Sequence, residues 1–114
     1  MRRESKKFLF DIGEACRRIR DFTAGKGYDD YERDIMLRSA VERQFEIIGE
    51  ALNQMHCVDP DTAKRIPEYQ RIIAFRNILI HGYAALQHHT VWGVVEGDLP
   101  ALANRVESLL SRSD

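Results

Sequence analysis

Apolar residues recur along this chain in steps of three and four, the spacing that returns to one face of a helix. No stretch keeps the two-residue alternation of a half-buried strand. Phe8, Ile12, Cys16, Ile19 and Phe22 make one such stripe and predict a first helix over residues 4–23, which Gly25 and Gly27 end. Ile35, Leu37, Val41, Phe45, Ile48, Leu52 and Met55 predict a long second helix over 30–55, with Asp29 or Asp30 placed to cap it. Its apolar positions spread over more than one face, so it is expected at the centre of the molecule.

Asp59 followed by Pro60 marks a new start, because proline fits the first turn of a helix and an acidic residue before it can cap. A short helix over 61–65 is expected to stop near Pro67. The next helix runs from there through Tyr69, Ile72, Ile73, Phe75, Ile78, Leu79 and Ile80, with Gly82 in position to end it. A last helix starts near Thr90 with Val91, Trp92, Val94 and Val95, and continues through Leu102, Val106, Leu109 and Leu110. Pro100 interrupts that stripe and predicts a kink, or a break near Asp98 and Leu99. The expected fold is therefore all-α, a bundle of four or five helices in a single domain spanning 1–114.

Charge narrows the function. Lys and Arg number 17 against 18 Asp and Glu, a balance that argues against nucleic-acid affinity from a broadly basic surface and leaves room for a local basic cleft. Arg2, Arg3, Lys6, Lys7, Arg17, Arg18 and Arg20 cluster near the N-terminus, and the simplest reading is a solvated helix face. Residues 77–95 carry no formal charge but include Asn77, His81, Gln87, His88 and His89, which makes the run too polar for a membrane span. Cys16 and Cys57 match no paired spacing and read as reduced thiols of a cytoplasmic protein.

The segment Arg76-Asn77-Ile78-Leu79-Ile80-His81-Gly82-Tyr83 sets polar groups into an apolar run. An imidazole can take the proton of a ribose 2′-hydroxyl or deliver one to a leaving 5′-oxygen. A guanidinium stays charged and offers paired donors to phosphate oxygens, and Asn77 can orient either partner. Such a transesterification needs no metal or cofactor. It yields a 2′,3′-cyclic phosphate and a 5′-hydroxyl, and the 2′-hydroxyl makes RNA the substrate. Five helical steps leave Arg76 and His81 ~140° apart. Either the helix unwinds at Gly82 and His81 swings round, or the two residues line opposite walls of a groove. The bland reading pairs Arg76 with a carboxylate such as Glu46 and leaves His81 at a helix C-terminus.

Arg76, His81 and Tyr83 match an R-x-x-x-x-H-x-Y pattern that resembles the HepT-like branch of the HEPN superfamily. Residues 42–51, ending in Ile-Gly-Glu-Ala, resemble its long helix, and Val91-Trp92 with Asp98-Leu99-Pro100 resembles its final one. That resemblance implies a homodimeric helical bundle with the motif in a cleft near the dimer interface. It also implies a metal-independent endoribonuclease acting as the toxin of a type II/VII-like toxin–antitoxin pair, neutralised by a nucleotidyltransferase antitoxin. Arg76, His81 and Asn77 would then be catalytic, Glu46 supporting, and Tyr83 the acceptor of AMP. The alternative is a non-catalytic helical subunit that binds a nucleotidyltransferase and a nucleotide or RNA.

Other polar residues carry weaker claims. Asp34, Arg38 and Glu42 could reach the motif helix, but their spacing also suits pairing along their own helix. His56 with Cys57, and His88 with His89, fall short of the four converging ligands of a structural zinc site. Trp92 and Tyr69 could stack on bases, though a helix stripe usually places such residues in the core.

Overall fold

The computed structural model describes residues 1–81 and 87–112. Among them every regular element is helical: α1 (Arg3–Thr23), α2 (Tyr28–Arg33), α3 (Ile35–Val58), α4 (Pro60–Ala63), α5 (Tyr69–His81), α6 (His88–Gly93) and α7 (Leu99–Arg112). The fold is all-α. Helix α3 is the central one, packing against α1 on one side and α5 on another, while α1 also packs on α7. The buried residues of α3 fall at 37, 41, 45, 48, 49, 51, 52 and 55, which together make one wide helical face. They join Leu9, Ile12, Cys16 and Ile19 of α1 and Leu99, Leu102, Val106 and Leu109 of α7 in one core cluster. No described helix is long and apolar enough to cross a membrane.

The predicted helix over 30–55 is in fact two. The chain leaves helical geometry at Asp34 (φ −112°, ψ 97°), whose carboxylate accepts from the Leu37 amide at 3.1 Å and so caps α3. Asp30 has a different task from the one expected of it. Its carboxylate accepts from the Gly27 amide at 2.9 Å and closes the first turn of α2. Ile35 and Met36, at the start of α3, remain 71% and 79% exposed, because the capped turn points them away from the core before the periodic stripe begins.

Asp59 caps α4, accepting from the Thr62 amide at 3.3 Å, with Pro60 in the first turn. It also accepts hydrogen bonds from the hydroxyls of Thr62 at 2.6 Å and buried Ser5 at 2.7 Å, which ties α1 to the α3–α4 corner. At the other end, where a kink at Pro100 or a break near Asp98 and Leu99 was expected, no break forms. Residues Val94–Asp98 form a π-helical turn between α6 and α7, in which the Leu99 amide donates to the Val94 carbonyl. A π-turn takes up one extra residue without ending the helix, and it lies just where Pro100 has no amide to continue the α-helical ladder. The result is one helical path from His88 to Arg112.

Candidate functional site

Helix α5 begins after Glu68, whose φ of 58° turns the chain, and stays helical through His81. Tyr69 and Leu79 are buried on it, and Ile72, Ile73, Arg76 and Ile80 are half-buried. Those six positions share one face of a regular helix, so Arg76 projects toward α3 among apolar neighbours. Gln70, Ala74, Asn77, Ile78 and His81 are exposed on the far side. Because α5 keeps its geometry to its last residue, the unwinding that would bring His81 round to Arg76 does not occur within α5. Gly82 and Tyr83 lie outside the described residues. The structure thus leaves the two residues on different sides of α5, and no hydrogen bond joins them.

Arg76 sits where α5 passes close over α3 at Gly49. Gly49 makes that crossing possible: a β-carbon there would lie 2.2 Å from Cβ and 2.5 Å from Cγ of Arg76. The arginine stem therefore passes over bare α3 backbone, and its head emerges beside the next residue. Its Nη2 donates to Oε2 of Glu50, Nη1 donates to Oδ1 of Asn77 at 2.9 Å, and Nε is buried with no acceptor among the described residues. Glu50 in turn accepts from Gln54 Nε2 at 2.9 Å.

The carboxylate expected beside Arg76 was Glu46, and the structure gives a different one. Glu46 pairs with Arg43 at 3.2 Å on the same helix, one turn before the gap that Gly49 opens. Glu50 directly follows that gap. Gly49 and Glu50 belong to the Ile-Gly-Glu-Ala run, yet neither was singled out from sequence. The available signal was the glycine itself, which has no turn to serve in the middle of a 24-residue helix and costs about 1 kcal/mol there relative to alanine.

The remaining candidates are placed away from this cluster. Asp34 caps α3, and Arg38 donates to the Glu32 carbonyl. Glu42 is half-buried, and burial pushes its carboxyl above the ordinary range against the opposing charges of His88 and Arg38. Trp92 lies in the core with its ring 5.3 Å from that of Tyr31, and Tyr69 packs 5.4 Å from His56, so neither is open to a base. Among the described residues, no three of the His, Cys, Asp and Glu side chains converge as metal ligands would. The basic N-terminal region includes a typical solvated face, where Lys7 pairs with Asp11 and Arg17 with Glu14 and Asp21.

An apolar groove of about 270 Å³ runs between α5 and the α6–α7 rod, walled by Phe45, Phe75, Ile78, Val94, Leu99 and Leu102. The Arg71–Asp98 ion pair, 2.6 Å long, crosses its rim. Neither Arg76 nor His81 lines it, but Ala74 and His81 are seven residues apart and so share one stripe of α5. With Ile78 46% exposed, the apolar surface of the groove continues toward the exposed histidine.

Residues 12–109 match the family described as ribonuclease HepT-like. The chain is 35% identical over 112 residues to a Thermococcus cleftensis protein named "Probable ribonuclease HepT", covering 96% of this chain and 98% of that one. It is 33% identical over 108 residues to a Methanocaldococcus jannaschii protein named as a candidate RNase, covering 93% of this chain and 96% of the relative. No solved structure matches it.

Proposed function

This chain belongs to the ribonuclease HepT-like family, and we propose that it is a metal-independent endoribonuclease cutting through Arg76, Asn77 and His81. The observation that carries the reading is the exposed His81 at the end of α5, five residues from an arginine locked onto α3. In the proposed reaction the 2′-oxygen of a ribose attacks the adjacent phosphorus as an imidazole takes its proton. The bond from phosphorus to the 5′-oxygen breaks, and that oxygen receives a proton. Arg76 holds the phosphate and its developing charge, and Asn77 orients the guanidinium. Glu46 has no place in this reading, since Arg43 holds it elsewhere.

Arg76 and His81 face different ways, so one protomer presents them on separate walls. A second copy placed against the outward stripe of α5 would form a groove between them. The exposed Ile78 and the apolar groove beside it support such a homodimer. The partner we propose is a nucleotidyltransferase antitoxin that transfers AMP to Tyr83, which lies outside the described residues. The added bulk and negative charge two positions from His81 would oppose RNA phosphate. The chain would then be the toxin of the pair, acting in the cytoplasm.

One observation favours a second reading, a non-catalytic subunit that binds the nucleotidyltransferase. Arg76 already has Glu50 and Asn77 as partners, and so satisfies part of its charge inside the protomer. Incubating purified protein with total RNA in a chelator, beside a His81→Ala variant, separates the two. Cleavage by wild type and none by the variant supports the enzyme. Equal cleavage by both removes His81 from the mechanism. Cleavage by neither, with unmodified intact mass, supports the binding subunit.

A further inference from the structure

We propose that Gly49 and Glu50 form a seat that aims the guanidinium of Arg76, which makes Glu50 a positioning residue for the reaction. The proposal rests on the ribonuclease reading above. Three independent features of the structure converge on it. The stem of Arg76 occupies the space that any side chain at position 49 would need, with contacts of 2.2 and 2.5 Å to a β-carbon built there. That fixes where the side chain crosses α3. The head is then held by charge, through Nη2 to Glu50, and the carboxylate of Glu50 is itself held by Gln54 at 2.9 Å. The arginine side chain is only 20% exposed while Glu50 is 46% exposed, so the pair is anchored inside and opens outward.

This arrangement constrains the guanidinium without consuming it. Of its five N–H groups, one on Nη2 goes to Glu50 and one on Nη1 to Asn77, leaving one on each terminal nitrogen uncommitted among the described residues. Both lie in the plane of the guanidinium, whose tilt Glu50 sets, and a planar fork of fixed tilt is what recognises phosphate oxygens. Removing the carboxylate leaves the charge of Arg76 in place but lets its plane rotate. Misplacing a phosphate-binding group by ~1 Å can cost on the order of 10²-fold in rate. Glu50 touches no reacting atom in this scheme and acts wholly through Arg76.

The test is steady-state cleavage of a defined RNA by wild type, Glu50→Ala, Glu50→Gln, Arg76→Lys and the double variant Arg76→Lys/Glu50→Ala. Glu50→Ala should lower kcat by on the order of 10²-fold with a smaller change in KM. Glu50→Gln, which keeps the shape and one acceptor, should recover part of the loss. Lysine has no fork to aim, so adding Glu50→Ala to Arg76→Lys should change the rate by less than about threefold, the non-additivity of two residues acting as a unit. Losses that multiply in the double variant would make Glu50 merely structural and overturn the proposal. So would a higher kcat/KM in Glu50→Ala, which would mark Glu50 as a competitor of the phosphate. Wild type that cleaves while His81→Ala does not, with all Glu50 variants at wild-type rate, sinks the seat alone. Wild type of unmodified intact mass that fails to cleave sinks the ribonuclease reading and the seat with it.

Discussion

Replacing Gly49 by alanine tests the closeness of the α3–α5 crossing with a single methyl group. In an open helix that change stabilises by about 1 kcal/mol, because alanine loses less backbone freedom on folding. Here the methyl would sit 2.2 Å from Cβ of Arg76, and ordinary contact begins near 3.4 Å. Cβ is fixed to the α5 backbone, so no side-chain rotation relieves the clash and the two helices must part by about an ångström. Parting them loosens neighbours along the same interface, including the Phe45–Phe75 pair with ring centroids at 5.3 Å. Overpacking of this kind costs about 1–3 kcal/mol. Set against the helix-propensity gain, the net expectation is a loss of up to about 2 kcal/mol, or up to about 8 °C in Tm for a domain of this size. Gly13 provides the control. A β-carbon there meets Val106 at 3.6 Å, an ordinary contact, so Gly13→Ala should stabilise by ~0.5–1 kcal/mol. Urea denaturation with an unchanged m-value reads both. A Gly49→Ala protein stabilised as much as the Gly13→Ala control would refute the close crossing, and with it the steric half of the Arg76 seat.

Two further outcomes follow from the packing. Asp59 caps α4 and accepts from Ser5 and Thr62, so Asp59→Ala should cost about 1 kcal/mol near neutral pH. The two hydroxyls hold its carboxyl below the ordinary 3.8, and a lowered folded pKa gives stability that is complete above that value and fades as pH falls through the folded one. The gap between wild type and variant in a urea titration should therefore close below about pH 4, and a constant gap down to pH 2 would contradict the assignment. Burial pushes the Cys16 thiol up to about 12, whereas Cys57 is exposed. A thiol reagent at neutral pH should therefore label Cys57 alone in the native protein and both cysteines in urea, as intact mass would show; native labelling of Cys16 would contradict its burial.

The helices were legible in the sequence wherever burial imposed a period. The stripe of α3 and the Asp59-Pro60 start of α4 could be read because each uses a local rule. The break at Asp34 was hidden because apolar spacing runs straight across it, and only the cap geometry shows that the chain leaves the helix there. The π-turn was hidden for a related reason. Pro100 announces that something must yield, but whether a break, a kink or a wider turn supplies it depends on how α6 and α7 pack. The candidate site divides in the same way. Arg76 and His81 stood out as polar groups in an apolar run. Glu50 did not, because its pairing depends on a helix crossing that brings together two residues 26 apart in sequence, and Glu46 had an equal claim by composition.

The central claim is transesterification at His81 without metal, and the ends of the cut RNA test it most directly. A defined RNA incubated with chelator-treated protein should give fragments whose masses show a 2′,3′-cyclic phosphate on one side and a 5′-hydroxyl on the other. A single 2′-deoxy nucleotide at the cut site should abolish that cut. Fragments ending in a 3′-hydroxyl and a 5′-phosphate, or cleavage that persists at the 2′-deoxy position, would contradict the account.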